Sequence, residues 1–141
     1  MLMTLQVVTL LFVAVAMALT LAHALELPGK MRLSKDEYLT VQPIYYPGFT
    51  VGGAAEPLSL LLLVALMFVT PAGPPLWLTA GAFATLAAAH ATYWVLTHPV
   101  NNFWLKDVEL KGPGRSFFAV GLSGRSGTAD DWTVLRNRWE F

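Results

Sequence analysis

The sequence predicts an all-α protein: a transmembrane helical bundle of three spans, with a short loop helix and a cytoplasmic tail. Three observations predict it. Charged residues make up 13% of the 141 positions, whereas a soluble domain carries about a quarter. The apolar residues are gathered into three blocks, each near the roughly 20 residues that cross a bilayer. All nine Lys and Arg fall on one side of the topology those blocks define. The whole chain, 1–141, reads as a single membrane domain, with spans at about 1–25, 46–70 and 76–98 and a tail at 99–141.

The first block, Met1 to Ala24, has no formally charged side chain. Its rival reading is a cleaved signal peptide, because "AHA" before Leu25 resembles a small-residue cleavage site. Against that, it lacks a basic n-region and is longer than the usual apolar core of such peptides. In the loop that follows, "SKDE" is a helix N-cap with acids in the first turn, so a short helix is expected from Ser34 to about Val41. The second block, from about Tyr46 to Val69, has Glu56 as its only formal charge, followed by Pro57. A proline inside a helix displaces the carbonyl four residues back, here that of Gly53. A freed carbonyl beside an acid makes a polar pocket of the broken-helix kind. The alternative is that Pro57 opens the helix and Glu56 lies at the membrane surface.

The third block, from about Leu76 to His98, has no formal charge and ends at His98-Pro99, since the residue before proline is pushed out of the α region. Helical spacing puts His90, Trp94 and Thr97 on one face, flanked by Tyr93 and His98. Ala80, Ala84 and Ala88 form a small-residue row that lets membrane helices approach closely. Asn101, Asn102 and Trp104 then reach the interface, where the asparagines either cap the helix or line a pocket mouth and Trp104 joins an aromatic belt. Beyond them, "GLSGRSG" lacks the Lys-Ser/Thr of a P-loop and reads as a flexible loop. "TADDWTVLRNRWEF" places Trp132, Leu135 and Trp139 on one face and reads as an interfacial helix at about 130–141, or the lead-in to another span.

Charge sets the orientation. Lys30, Arg32 and Lys35 lie between the first two spans, the turn "TPAGPP" has no basic residue, and the other six Lys and Arg follow the third span. Cytoplasmic loops carry the basic excess, so the N-terminus is expected outside the cell membrane and the first loop and tail inside. In this topology Glu56 and His90 lie at similar depth, roughly 12–15 Å below the cytoplasmic surface at 1.5 Å per residue. His23 and His98 lie nearer that surface. A carboxylate in the bilayer costs about 2.5–3.5 kcal/mol on insertion scales, so Glu56 needs a partner or a protein interior. His90 either lines a site as proton acceptor or ligand, or hydrogen-bonds a neighbouring helix.

The absence of cysteine removes thiolate chemistry, and zero net charge gives no reason to expect nucleic acid. Three histidines and a glutamate suit iron, copper or zinc, and a bis-histidine haem is conceivable, but no pair has local metal-site spacing.

The segments "AHALELPGKMRL", "VQPIYYPGF", "THPVNNFWL" and "DWTVLRNRWEF" together resemble the anthrone oxygenase-like family of small bacterial integral membrane proteins. The resemblance implies a four-helix membrane bundle. It also implies oxidation of a lipophilic anthrone- or phenol-like substrate by dioxygen without metal or flavin. His98 and Asn101 match the family's "HPVN" segment, with His23 and His90 as polar groups around it. Relatives continue into a fourth span after "RWE", so either that helix is missing from this version of the chain or a partner subunit or second copy supplies it. In this reading a histidine tuned by Glu56 is the base, and Asn101 or Tyr93 stabilises the oxyanion. The competing readings are a non-catalytic accessory subunit and a haem or metal carrier.

Overall fold

The computed structural model describes residues 1–46, 48–104 and 132–141, without the side chains of 102–104. Every regular element among them is helical. In chain order these are α1 (Leu2–Lys30), α2 (Lys35–Val41), a 3₁₀ turn (Gln42–Tyr45), α3 (Gly48–Gly53), α4 (Ala55–Val69), α5 (Pro74–Thr92), a π turn (Tyr93–Thr97), α6 (His98–Trp104) and α7 (Trp132–Glu140). The tail glycines 121, 124 and 127, the basic residues 106–125 and the capping residues 128–131 lie outside the described residues.

Two helices, Leu2–Lys30 and Gly48–Val69, are long and apolar enough to cross a membrane. The third expected span is not among them. Its helix, α5, has 19 residues, but it opens on Pro74-Pro75 and includes Thr79, Thr85, His90 and Thr92, which dilute its apolar content. Its α-helical hydrogen bonding also gives way at Thr92 to the π turn, where the His98 N–H donates to the Tyr93 carbonyl five residues back.

The chain forms two compact units, Met1–Ala22 with Gly52–Ala91 and His23–Val51 with Thr92–Phe141. In the first, the buried face of α4 is Ala55, Ser59, Leu63 and Leu66, spaced by four, four and three as one helix face requires. Thr9 and Ala16, seven apart on α1, are also buried. The hydroxyls on these faces are satisfied locally. Thr9 Oγ1 donates to the Leu5 carbonyl and Ser59 Oγ to the Ala55 carbonyl, each at 2.7 Å. Close packing at α3 leaves no room for a side chain at Gly52, where a Cβ would sit 2.7 Å from Leu19 Cδ1. Most large side chains of α1, including Met3, Leu10, Leu11, Met17 and Leu21, are exposed. Between α4 and α5 the chain turns at Gly73, whose φ of +116° is open to glycine and strained for other residues.

The second unit has its own aromatic core. Tyr38, Tyr45, Val100 and Trp139 are buried together, with Leu33, Leu39, Phe49, Trp132 and Leu135 packed against them. The face of α7 expected to lie on lipid, Trp132, Leu135 and Trp139, is thus covered by the chain itself. Helix α2 starts as "SKDE" predicts. Ser34 is its N-cap, the Glu37 N–H meets Ser34 Oγ, and the Glu37 carboxylate accepts from the Ser34 N–H at 2.8 Å. Helix α1 runs about five residues beyond the predicted end of the first span, and its last two turns carry His23, Glu26 and Lys30 into this unit.

Candidate functional site

In the first unit the polar centre is one pair. Glu56 occupies the first turn of α4, whose cap is the single turn residue Ala54 after α3. This break places Pro57 third in α4, where its missing N–H leaves no bond unmade. It also sets the Glu56 carboxylate at the positive end of the helix dipole. From α5, His90 Nδ1 comes within 3.6 Å of Glu56 Oε1, and both side chains are about a quarter exposed, 29% and 26%. The expected freeing of the Gly53 carbonyl by Pro57 is replaced by a helix break at Ala54, and Glu56 faces His90 from the first turn of α4.

The second unit contains the rest of the titratable cluster. His23, expected beside Glu56 and His90, instead takes its contacts from Lys30 and Glu140. Lys30 Nζ lies 2.9 Å from His23 Nδ1 and donates to Glu140 Oε2 at 3.3 Å, and His23 Nε2 is 3.3 Å from that same oxygen. An ammonium only donates, so His23 Nδ1 accepts and the ring proton lies on Nε2, facing the carboxylate. The other oxygen, Glu140 Oε1, accepts from the Tyr38 hydroxyl at 2.7 Å, and Gln42 Nε2 donates to the Tyr38 oxygen at 3.2 Å. Side-chain exposure is 5% for Lys30 and zero for Glu140. The ammonium also sits over the rings of Tyr45 and Trp139, 4.8 and 5.5 Å from their centroids, and 3.4 Å from Glu26. Tyr45 donates to Glu26 Oε2 at 2.7 Å. Burial first, and then the adjoining carboxylates, push both tyrosine hydroxyls well above their ordinary range. They therefore stay protonated and keep donating.

Beside this cluster the π turn and α6 bring Tyr93, His98 and Asn101 together. The π turn spoils the helical spacing that had put His90, Trp94 and Thr97 on one face, because Trp94 and Thr97 lie inside it. His98 is buried, with its ring 4.6 Å from Trp94 and 5.9 Å from Tyr93 between centroids. Asn101 is a hub. Its Oδ1 accepts from Trp139 Nε1 at 2.7 Å and from the Tyr46 hydroxyl at 3.0 Å, and its Nδ2 donates toward the Tyr93 oxygen at 3.4 Å. An amide committed to three neighbours holds α6, α7 and the π turn in place.

Sequence reasoning missed Lys30, Glu26, Tyr38, Gln42, Trp139 and Glu140. One signal was readable: His23, Glu26 and Lys30 follow spacings of three, four and seven, which is one helix face. Their partner Glu140, 110 residues beyond Lys30, gave no local sign. Among the described residues no group of three or more His, Asp or Glu is arranged to hold a metal ion. No protein-family model matches the chain, and neither does any curated protein or any solved structure.

Proposed function

We propose that the chain is an integral membrane oxidoreductase in which His90, oriented by Glu56, takes a proton from a lipophilic carbon acid or phenol. The observation that carries this reading is the 3.6 Å His90–Glu56 contact between two helices that carry no other acidic, basic or histidine side chain. Imidazole suits a general base because its ordinary pKa lies near neutrality. An ionisable pair inside such helices marks a functional site more often than a scaffold. The substrate class follows from the resemblance to anthrone oxygenases. Removal of a proton from an activated CH2 leaves a carbanion, which adds dioxygen. The resulting hydroperoxide loses water, so that CH2 and O2 become C=O and H2O.

The membrane reading is supported by the two long apolar helices and by how little the chain covers them. Only 11% of the most apolar stretch of α1 is buried. The orientation is supported by Lys30, Arg32 and Lys35, which favour a cytoplasmic first loop.

The test is dioxygen consumption by the protein in nanodiscs with an anthrone probe. His90→Ala and Glu56→Gln are each expected to lower turnover by about 10²-fold or more while both variants still insert. Normal turnover in both would end the proposal. A second reading, an accessory subunit of a larger membrane complex, is favoured by the uncovered apolar side chains of α1. Co-elution with a larger enzyme in mild detergent would support it.

A further inference from the structure

The Glu140 carboxylate is held by donors from three points in the sequence, none of them near it along the chain. Tyr38 addresses one oxygen, while Lys30 and His23 address the other. Gln42 reinforces the arrangement by donating to the Tyr38 oxygen, which leaves the tyrosine proton for the carboxylate. The donors sit on the last turns of α1 and on α2, elements joined by a short capped loop. The acceptor arrives on α7, a helix of nine residues. Helices shorter than about 12–15 residues are marginal alone in water, so docking gives α7 its order. Without α7, an ammonium, a phenol and an imidazole N–H would remain aimed at one planar, two-oxygen acceptor, a geometry suited to carboxylates. Tyr45 would still flank the ammonium, 4.8 Å away.

We propose that His23, Lys30 and Tyr38 form a carboxylate-binding site which the chain fills with its own Glu140, so that α7 is a competitive plug. This site is separate from His90 and Glu56 and does not depend on the reaction proposed for them. The ligand is a monocarboxylate, supplied either as a small soluble acid or as the headgroup of a fatty acid in the bilayer.

The experiment uses the full chain in detergent micelles, with acetate and octanoate as probes and chloride as the control. In the unsubstituted protein, either carboxylate is expected to speed hydrogen exchange of the amides of 132–140 saturably, while chloride at equal ionic strength does not. Glu140→Ala should bind the same probes at least about tenfold more tightly, because its site no longer waits for the plug to open. Adding Lys30→Met to that variant should abolish binding. Octanoate much tighter than acetate would identify a lipid source, and equal affinities a soluble one. Unchanged exchange in 132–140 at saturating probe would overturn the proposal even if the variants fail to fold. Equal probe binding by Glu140→Ala and the Lys30→Met double variant would overturn it as well.

Discussion

Lys30 shows how much one buried charge can hold. Its ammonium meets His23, Glu140 and Glu26 and lies over two aromatic rings. Removing one partner of a buried ion pair leaves the other uncompensated and costs about 3–5 kcal/mol, whereas replacing both with apolar residues is often neutral. Lys30→Met should therefore destabilise the protein by about that amount in detergent unfolding, with Tyr38 still holding one Glu140 oxygen. The double variant Lys30→Met with Glu140→Leu should recover most of the loss. An equal loss in single and double variants would mean that the ion pair is not what holds α7. At this scale the sequence was half legible. Glu56 and His90, expected at similar depth because rise per residue is fixed, stand 3.6 Å apart. The pairing of His23 did not follow. It depends on where a distant helix docks, and that is set by aromatic packing and not by local pattern.

Among the elements, α2 is the one whose ends are most fully explained by local chemistry. The Ser34 hydroxyl and N–H hold the Glu37 carboxyl below its ordinary value of 4.5. The folded cap therefore binds a proton less readily than the unfolded chain. Its contribution is complete above the unfolded value and drains away as pH falls through the lower, folded one. Acidification into that range should fray α2, seen as loss of amide protection at residues 35–38. Ser34→Ala should cost about 1 kcal/mol and weaken that pH dependence, leaving the part carried by the backbone N–H of residue 34. The turn between α4 and α5 makes a second demand. Gly73→Ala places a Cβ at positive φ and should cost about 1–3 kcal/mol, measured as a lower unfolding temperature. Both features were readable, one as "SKDE" and the other as the Gly-Pro turn. The length of α1 was not, because apolar content ends near Ala24 while backbone hydrogen bonding continues to Lys30. Nor was the shortfall of α5, where prolines, threonines and a histidine pull the mean hydropathy below that of the two longer apolar helices.

For the whole molecule, the dominant fact is apolar surface that the chain does not cover. Exposed patches larger than a few hundred Å² require lipid or a partner. The protein should remain in the membrane pellet after an alkaline carbonate wash and enter solution only with detergent. Release by carbonate alone would contradict the membrane reading. The helical class and two of the three expected apolar blocks were legible at this scale, because twenty-residue apolar blocks are visible without tertiary information. The second unit was not, since its core joins Tyr38 and Tyr45 to Val100 and Trp139 across most of the chain.

The five-residue hydrogen-bond step at Tyr93–Thr97 acts as a phase shift along an otherwise continuous rod. Each residue advances the azimuth by roughly 100°, so a wheel plotted at constant pitch misassigns the bearing of everything after Thr92. Excision of Val95 would return the segment to ordinary pitch. It would leave His98 four residues from Tyr93 and still bonded to its carbonyl, so His98 and Asn101 would keep their bearing and the Asn101 amide its contact with the indole of Trp139.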